Sequence, residues 1–323
     1  MARKCGDRRA TGHSARGTGV SALDESPKQA GGWRPSTALV GGLCGATAAA
    51  CWAIGFVAAR HGVLNGLTPA DIGFHRFVWS GVFLLPLVWR AGLRDLGGVG
   101  WGRALIMMLL AGPTQAMASA TGFTLTPLGH GVVIQPASSA LGSVLLAALI
   151  LHERLSLSRA VGVGIIVLGL CVFGGEAVST IGRQGVIGDV IFVSAGVAWA
   201  VFGTLLRRWR IEGMRAAVTI SGLSVLIYAP FHALVFGFGS MVAAGLWENL
   251  RQVAGQGFAG AFAIFMFTRA VTLLGGGRGG VFAALVPGFA LAIGIVALGE
   301  IPTATQFLGF VIVMVGFRFV LKQ

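Results

Sequence analysis

Two arginines stand inside apolar stretches of this chain, where a charge has no water to face: Arg76 and Arg269. A charged side chain at the centre of a bilayer costs about 2.5–3.5 kcal/mol on insertion scales, so it faces a cavity or a partner. Arg269 lies roughly a turn and a half from the inner end of its run. It either binds a carboxylate or phosphate on a solute or snorkels to the cytoplasmic headgroups. Arg76 follows His75, about two turns into its own run, and reads first as a structural ion pair, although Asp71 lies too near the interface to be an ideal partner. An unperturbed histidine titrates near neutral pH, so the residue type at His75 offers a route for protons; a lone histidine is more often a hydrogen-bonded packing group.

Uncharged polar residues concentrate in two neighbouring runs: Thr114, Gln115, Ser119, Thr121, Gln135, Ser138, Ser139 and Ser143. Membrane helices use such residues to bind one another. Gln115 and Gln135 are the longest of them and the better candidates for touching a solute. Gln135 precedes Pro136, and proline frees a backbone carbonyl that needs a donor or a wet cavity. Prolines 86, 113, 136, 230 and 287 therefore mark expected bends, and Pro113, Pro136 and Pro287 point to the central pathway. Trp52 and Trp199 suit either stacking on flat solutes or core packing.

Chemistry of other kinds is missing. No serine–histidine–acid order, paired intramembrane carboxylates or metal-ligand spacing occurs, and Cys5, Cys44, Cys51 and Cys171 are scattered. All eleven acids fall in the tail, in connections or at run ends. No cofactor, no metal and no enzymatic activity are expected. Gly255-x-Gly257-x-x-Gly260 spells a dinucleotide fingerprint but opens an apolar run instead of following a strand, so it carries no weight. Gly41-x-x-x-Gly45 reads as a helix-packing face.

The elements that position these residues follow from composition. Of 323 residues, 55% are hydrophobic and 11% charged, with mean hydropathy +0.83. A soluble domain carries roughly a quarter charged residues, so a soluble enzyme is excluded. Ten apolar runs are long enough, or nearly so, to cross a bilayer: 38–59, 67–89, 104–126, 131–151, 156–174, 187–206, 216–236, 253–274, 279–299 and 303–320. Residues 1–37 read as a disordered basic cytoplasmic tail with no run suited to a secretory signal. Under the orientation that puts this tail inside, the outer connections carry only Arg60, Arg183 and Arg251, and most other basic residues fall inside. The positive-inside rule thus predicts ten spans with both termini cytoplasmic. It also accounts for the net charge of +13 without any nucleic acid.

An internal repeat is visible at an offset of about 147 residues. It pairs Trp52-Ala53 with Trp199-Ala200, Arg60 with Arg207, Glu153 with Glu300, Gly162 with Gly309 and Gly169 with Gly316. Five helices per copy turn the second copy upside down, an arrangement used by alternating-access transporters. The expected fold is an all-α membrane protein of ten transmembrane helices in two inverted five-helix repeats, 38–174 and 187–320.

On these residues the chain resembles the EamA-type family of the drug/metabolite transporter superfamily. The carriers are Trp52 and Trp199 with their following alanines, Pro69-x6-Arg76, and Pro287 with Gly299-Glu300. The first repeat departs from the pattern, with Ala140 at the equivalent of Pro287 and His152 before Glu153. The resemblance implies a secondary transporter or exporter of small organic metabolites or drugs in the inner membrane, working by alternating access through a central cavity. The substrate-binding candidates are Arg269, Gln135, Gln115, Trp52, Trp199, Arg76 and His75. The expected partners are a small-molecule substrate and the lipid bilayer, with a homodimer left open. The alternative is a lipid-handling protein or enzyme acting at the bilayer interface.

Overall fold

The computed structural model describes residues 37–92, 95–150, 156–176, 179, 181–274 and 281–320. The tail to residue 36, His152 and Glu153, residues 275–280 with Arg278, and the last three residues lie outside them. The described residues form helices and connecting turns, with no strand among them. That is the expected outcome for long apolar runs in lipid, where a backbone must satisfy its own hydrogen bonds. Among the described residues, six helical stretches are long and apolar enough to cross a membrane, three of them made of two consecutive helices, and shorter apolar helices accompany them.

Helix α1 spans Thr37–Leu64. Helix α2, Pro69–Phe83, opens on a capping box in which Thr68 and Asp71 each bond the other's backbone N–H. Leu84 interrupts it, and α3 (Leu85–Ala91) resumes with Pro86 in its first turn. Helices α4 (Trp101–Ala111) and α5 (Pro113–Leu125) are separated by Gly112. Helix α6 runs from Leu128 to Ile150 straight through Pro136. Helices α7 (Leu157–Glu176) and α8 (Arg183–Trp209) follow. Helix α9 (Gly213–Leu223) passes through a π-helical turn, Ser224–Tyr228, into α10 (Ala229–Val235). Helix α11 (Gly239–Gln252) does the same through Val253–Phe258 into α12 (Ala259–Leu274). Helices α13 (Val286–Leu298) and α14 (Ala304–Val320) complete the bundle.

Four of the five expected proline bends coincide with such joins, since proline sits in the first turn of α3, α5, α10 and α13. There its missing N–H is one that a helix start leaves unbonded anyway. Pro136 differs: α6 continues through it as one helix. The run expected at 253–274 begins at residue 239 instead. Glu248, Asn249 and Arg251 look like an outer connection by composition, yet they are helical, and Glu248 is only 3% exposed.

Helix α1 packs along α12 and against α13, while α8 packs along α6 and α5. Helix α2 lies against α5 and both π-helical turns, and α7 pairs with α14. At that last contact Gly316 meets Ile166 and the Gly162 carbonyl, and Gly169 meets Val313 and the Gly309 carbonyl. Gly41 and Gly45 let α1 close on Leu274 and Phe282, as the packing-face expectation has it. A Cβ on Gly316 would stand 2.6 Å from Ile166 Cγ1 and 3.0 Å from the Gly162 carbonyl oxygen. Gly316→Leu is therefore expected to lower stability by about 1–3 kcal/mol, the usual cost of overpacking. Gly164→Ala, with nothing within 4 Å, should leave the thermal midpoint in detergent unchanged, and the two midpoints compared give the check.

Candidate functional site

Among the described residues, many side-chain hydrogen bonds between the first half (α1–α7) and the second half (α8–α14) lie at the end of the bundle that carries the α1–α2 and α5–α6 turns, here the upper end. Arg60 Nε donates to Glu300 Oε1 at 2.7 Å, and its Nη1 reaches the Phe123 carbonyl. Glu300 Oε2 accepts from the Leu128 N–H at 2.6 Å. Glu300 thus caps the start of α6, where a carboxylate is favoured by the unbonded N–H groups and the helix dipole. One turn into α6, fully buried His130 places Nδ1 2.8 Å from Asp189 Oδ1. Gln306 Nε2 and Thr303 Oγ1 both donate to Glu176 Oε1, at 3.1 and 2.8 Å. Beneath this layer the rings of Phe56, Phe123 and Phe192 meet at centroid distances of 6.3 and 5.0 Å.

A second group joins α1 and α2 to the helices of the second half. Asp71, fully buried, stands 3.0 Å from His232 Nε2 and accepts from Ser240. His75 Nε2 lies 3.1 Å from Asn249 Oδ1. The Asn249 amide donates to the Met241 and Gly245 carbonyls, so its oxygen faces His75 and the histidine carries its proton on Nε2. Glu248 lies 3.0 Å from His61 Nδ1 and accepts from Gln252 Nε2, which also reaches the Ala58 carbonyl at 2.7 Å. The sequence expectation that all acids sit in connections or at run ends needs correction for Glu248, which lies inside a helix. Asp71, Asp189 and Glu248 are buried and held by partners from the opposite half, as carboxylates in an apolar setting must be.

Deeper in the bundle, Arg76 Nη1 donates to Gln256 Oε1 at 3.1 Å, and Gln256 Nε2 donates to the Gly55 carbonyl at 2.8 Å. The expected ion pair of Arg76 is absent among the described residues; Asp71 is occupied by His232 and Ser240, and an amide takes the guanidinium instead. Gln256 sits in the π-helical turn 253–258. Such turns widen the helix by one residue and often mark functional positions. The glycines there serve contact: a Cβ on Gly255 would lie 2.8 Å from Ala58, and one on Gly257 2.6 Å from Trp79.

The remaining candidates are spread out. Ser119 Oγ stands 2.8 Å from Gln135 Oε1 and 3.0 Å from the Gln115 carbonyl, and all three residues are buried. Trp52 packs on Phe267 at 5.1 Å. Trp199 packs on Phe202 at 5.3 Å. It continues the face carrying buried Phe192, Ala195 and Gly196, yet is itself 43% exposed. Arg269 is exposed and makes no hydrogen bond or ion pair among the described residues. It shares an exposed stripe of α12 with Phe262 and Phe265, on the side away from Phe267. Gln252, Gln256, His61, His130, His232 and Asn249 were not singled out from sequence. Gln252 and Gln256 carried a signal, two long polar side chains one turn apart around the start of an apolar run. Because Glu300 serves both Arg60 and Leu128 N, Glu300→Gln is expected to cost about 1.5–3 kcal/mol, the range for hydrogen bonds to a charged group. A double-mutant cycle with Arg60→Gln, read by thermal unfolding, should recover a coupling of about 1 kcal/mol or more.

Residues 39–175 match the EamA-like transporter family. No curated protein matches the chain. A solved crystal structure, described only as that of a protein, aligns with 89% of this chain and 96% of its own at a TM-score of 0.55 and 17% identity, a likeness of fold. The apolar helices mark a multi-pass membrane protein, and its stretch 39–175 is similar to the EamA-like transporter family, which belongs to the drug/metabolite transporter superfamily.

Proposed function

We propose that the chain is a secondary transporter of small organic metabolites or drugs, built as ten spans in two inverted five-helix repeats and working by alternating access. The observation that carries this reading is the contact between α7 and α14. Gly162 meets Gly316 and Gly169 meets Gly309; Gly316 meets Ile166 and Gly169 meets Val313. Shifting each first-half residue by 147 positions turns each of these contacts into its partner contact, as a two-fold axis between antiparallel helices requires. The exchange of neighbours supports the same symmetry. Helix α1 of the first half lies against α12 and α13, and α8 of the second half lies against α5 and α6.

The polar contacts between the halves at the upper end support a state closed there. Arg60–Glu300, His130–Asp189, Asp71–His232 and His61–Glu248 all join the two halves there. By the positive-inside rule that end faces outward and both termini are cytoplasmic, in the inner membrane. The exposure of Trp199 on an otherwise buried face supports open space toward the inner side. Rocking of the halves breaks the upper contacts and opens the outer side, so a solute at mid-depth passes outward without a continuous pore.

Reconstituted vesicles test this reading. Saturable flux is expected for at least one small organic solute, and Gln135→Ala should lower it roughly tenfold, the equivalent of one lost hydrogen bond, with insertion unchanged. A folded, correctly inserted protein that carries nothing from a broad panel of metabolites would overturn the transporter reading; unaltered flux in Gln135→Ala would remove Gln135 from the pathway.

A further inference from the structure

Arg76 is a guanidinium with five N–H donors and one hydrogen bond, to Gln256. No carboxylate pairs with it among the described residues. The acids of the neighbouring helices are engaged elsewhere: Asp71 with His232 and Ser240, Glu248 with His61, Gln252 and Arg251. Nε and Nη2 make no hydrogen bond among the described residues, and the side chain is partly exposed. Among those residues this cation has no countercharge, and it keeps donors to receive one.

The surroundings are shaped for the head group to stay where it is. Gly55 of α1 faces it so closely that a Cβ there would stand 2.9 Å from Arg76 Nη1. The Gln256 amide is itself anchored on the Gly55 carbonyl, so it holds Nη1 from one side; the Phe77 ring centroid lies 6.0 Å from the guanidinium carbon, and the rest of the fork makes no hydrogen bond among the described residues. One turn along α1 from Gly55, Trp52 and Phe267 form an apolar wall. Arg76 lies seven residues into α2, about 10 Å below the start of the helix at 1.5 Å per residue, within reach of mid-bilayer.

We propose that Arg76 is the anion-binding group of the transport site, and that the carried solute is a small organic molecule bearing an oxyanion, received by the free edge of the guanidinium while its apolar part lies toward Trp52 and Phe267. This rests on the transporter reading above and adds the charge of the solute to it. A guanidinium binds carboxylate or phosphate through two parallel hydrogen bonds. The solute also supplies the countercharge that the protein withholds, so the loaded site is closer to neutral than the empty one when the halves rock around it.

The test uses the purified full chain in detergent, with butyrate, its uncharged analogue butyramide, and inorganic phosphate as probes, read by thermal unfolding and by tryptophan fluorescence. Butyrate or phosphate is expected to raise the unfolding midpoint in a saturable way and butyramide is not. Which of the two anions acts names the head group as carboxylate or phosphate. Arg76→Gln should weaken that binding at least tenfold. Gly55→Ala, which crowds Nη1 and leaves the charge in place, should weaken it as well, and it keeps the test open if Arg76→Gln does not fold. Equal effects of butyrate and butyramide, no effect of either anion, or undiminished binding in a folded Arg76→Gln or Gly55→Ala variant would overturn the proposal. Flux of uncharged solutes without anion binding leaves the transporter standing and removes this site; anion binding through Arg76 without any flux does the reverse.

Discussion

Taking a charged group out of water and into hydrocarbon demands an answer from another segment of the chain, and that demand organises this bundle. Apolar helices in lipid have little hydrophobic reason to choose one neighbour over another. Here the choice is written in polar pairs. Glu300 lies beyond α13 and is useful only where Arg60 and the start of α6 converge on it. Asp71 is tolerable at zero exposure because His232, Ser240 and the Thr68 capping box occupy its oxygens. Each pair joins a helix of the first half to one of the second, so the contacts that satisfy the charges also hold the halves in a particular arrangement.

Close backbone approach supplies the rest of the specificity. Where α7 meets α14, glycine lets carbonyl oxygens of one helix lie against the Cα of the other. The same device admits the Arg76 guanidinium beside Gly55 and the π-helical turn of Gly255 and Gly257 beside α1 and α2. The π-helical turns at 224–228 and 253–258 both press on α2. The helix carrying Arg76 and His75 is therefore bordered by two π-helical stretches of the second half.

These features bear on how such a protein moves. A closure made from ion pairs and single hydrogen bonds separates more readily than one made from an interdigitated apolar core, because water replaces each lost bond as the halves part. Beneath it, the rings of Phe56, Phe123 and Phe192 pack together across the two halves.

Much of this was legible in the chain before any coordinates. The apolar runs announce helices because their length and continuity leave lipid-embedded backbone no other way to satisfy itself. The prolines announce most of the joins. Partner choice was not legible. Arg76 beside His75 suggests an ion pair, and only packing reveals that Asp71 has turned to His232 and that Gln256, 180 positions away, takes the arginine. Arg269 reads as a buried charge because its neighbours in sequence are apolar, yet its direction around α12 places it on an exposed stripe. Hydropathy is a property of the one-dimensional chain and determines which segments leave water. The face a side chain presents, and the distant residue that answers it, depend on how the helices rotate and cross, and no local pattern encodes that.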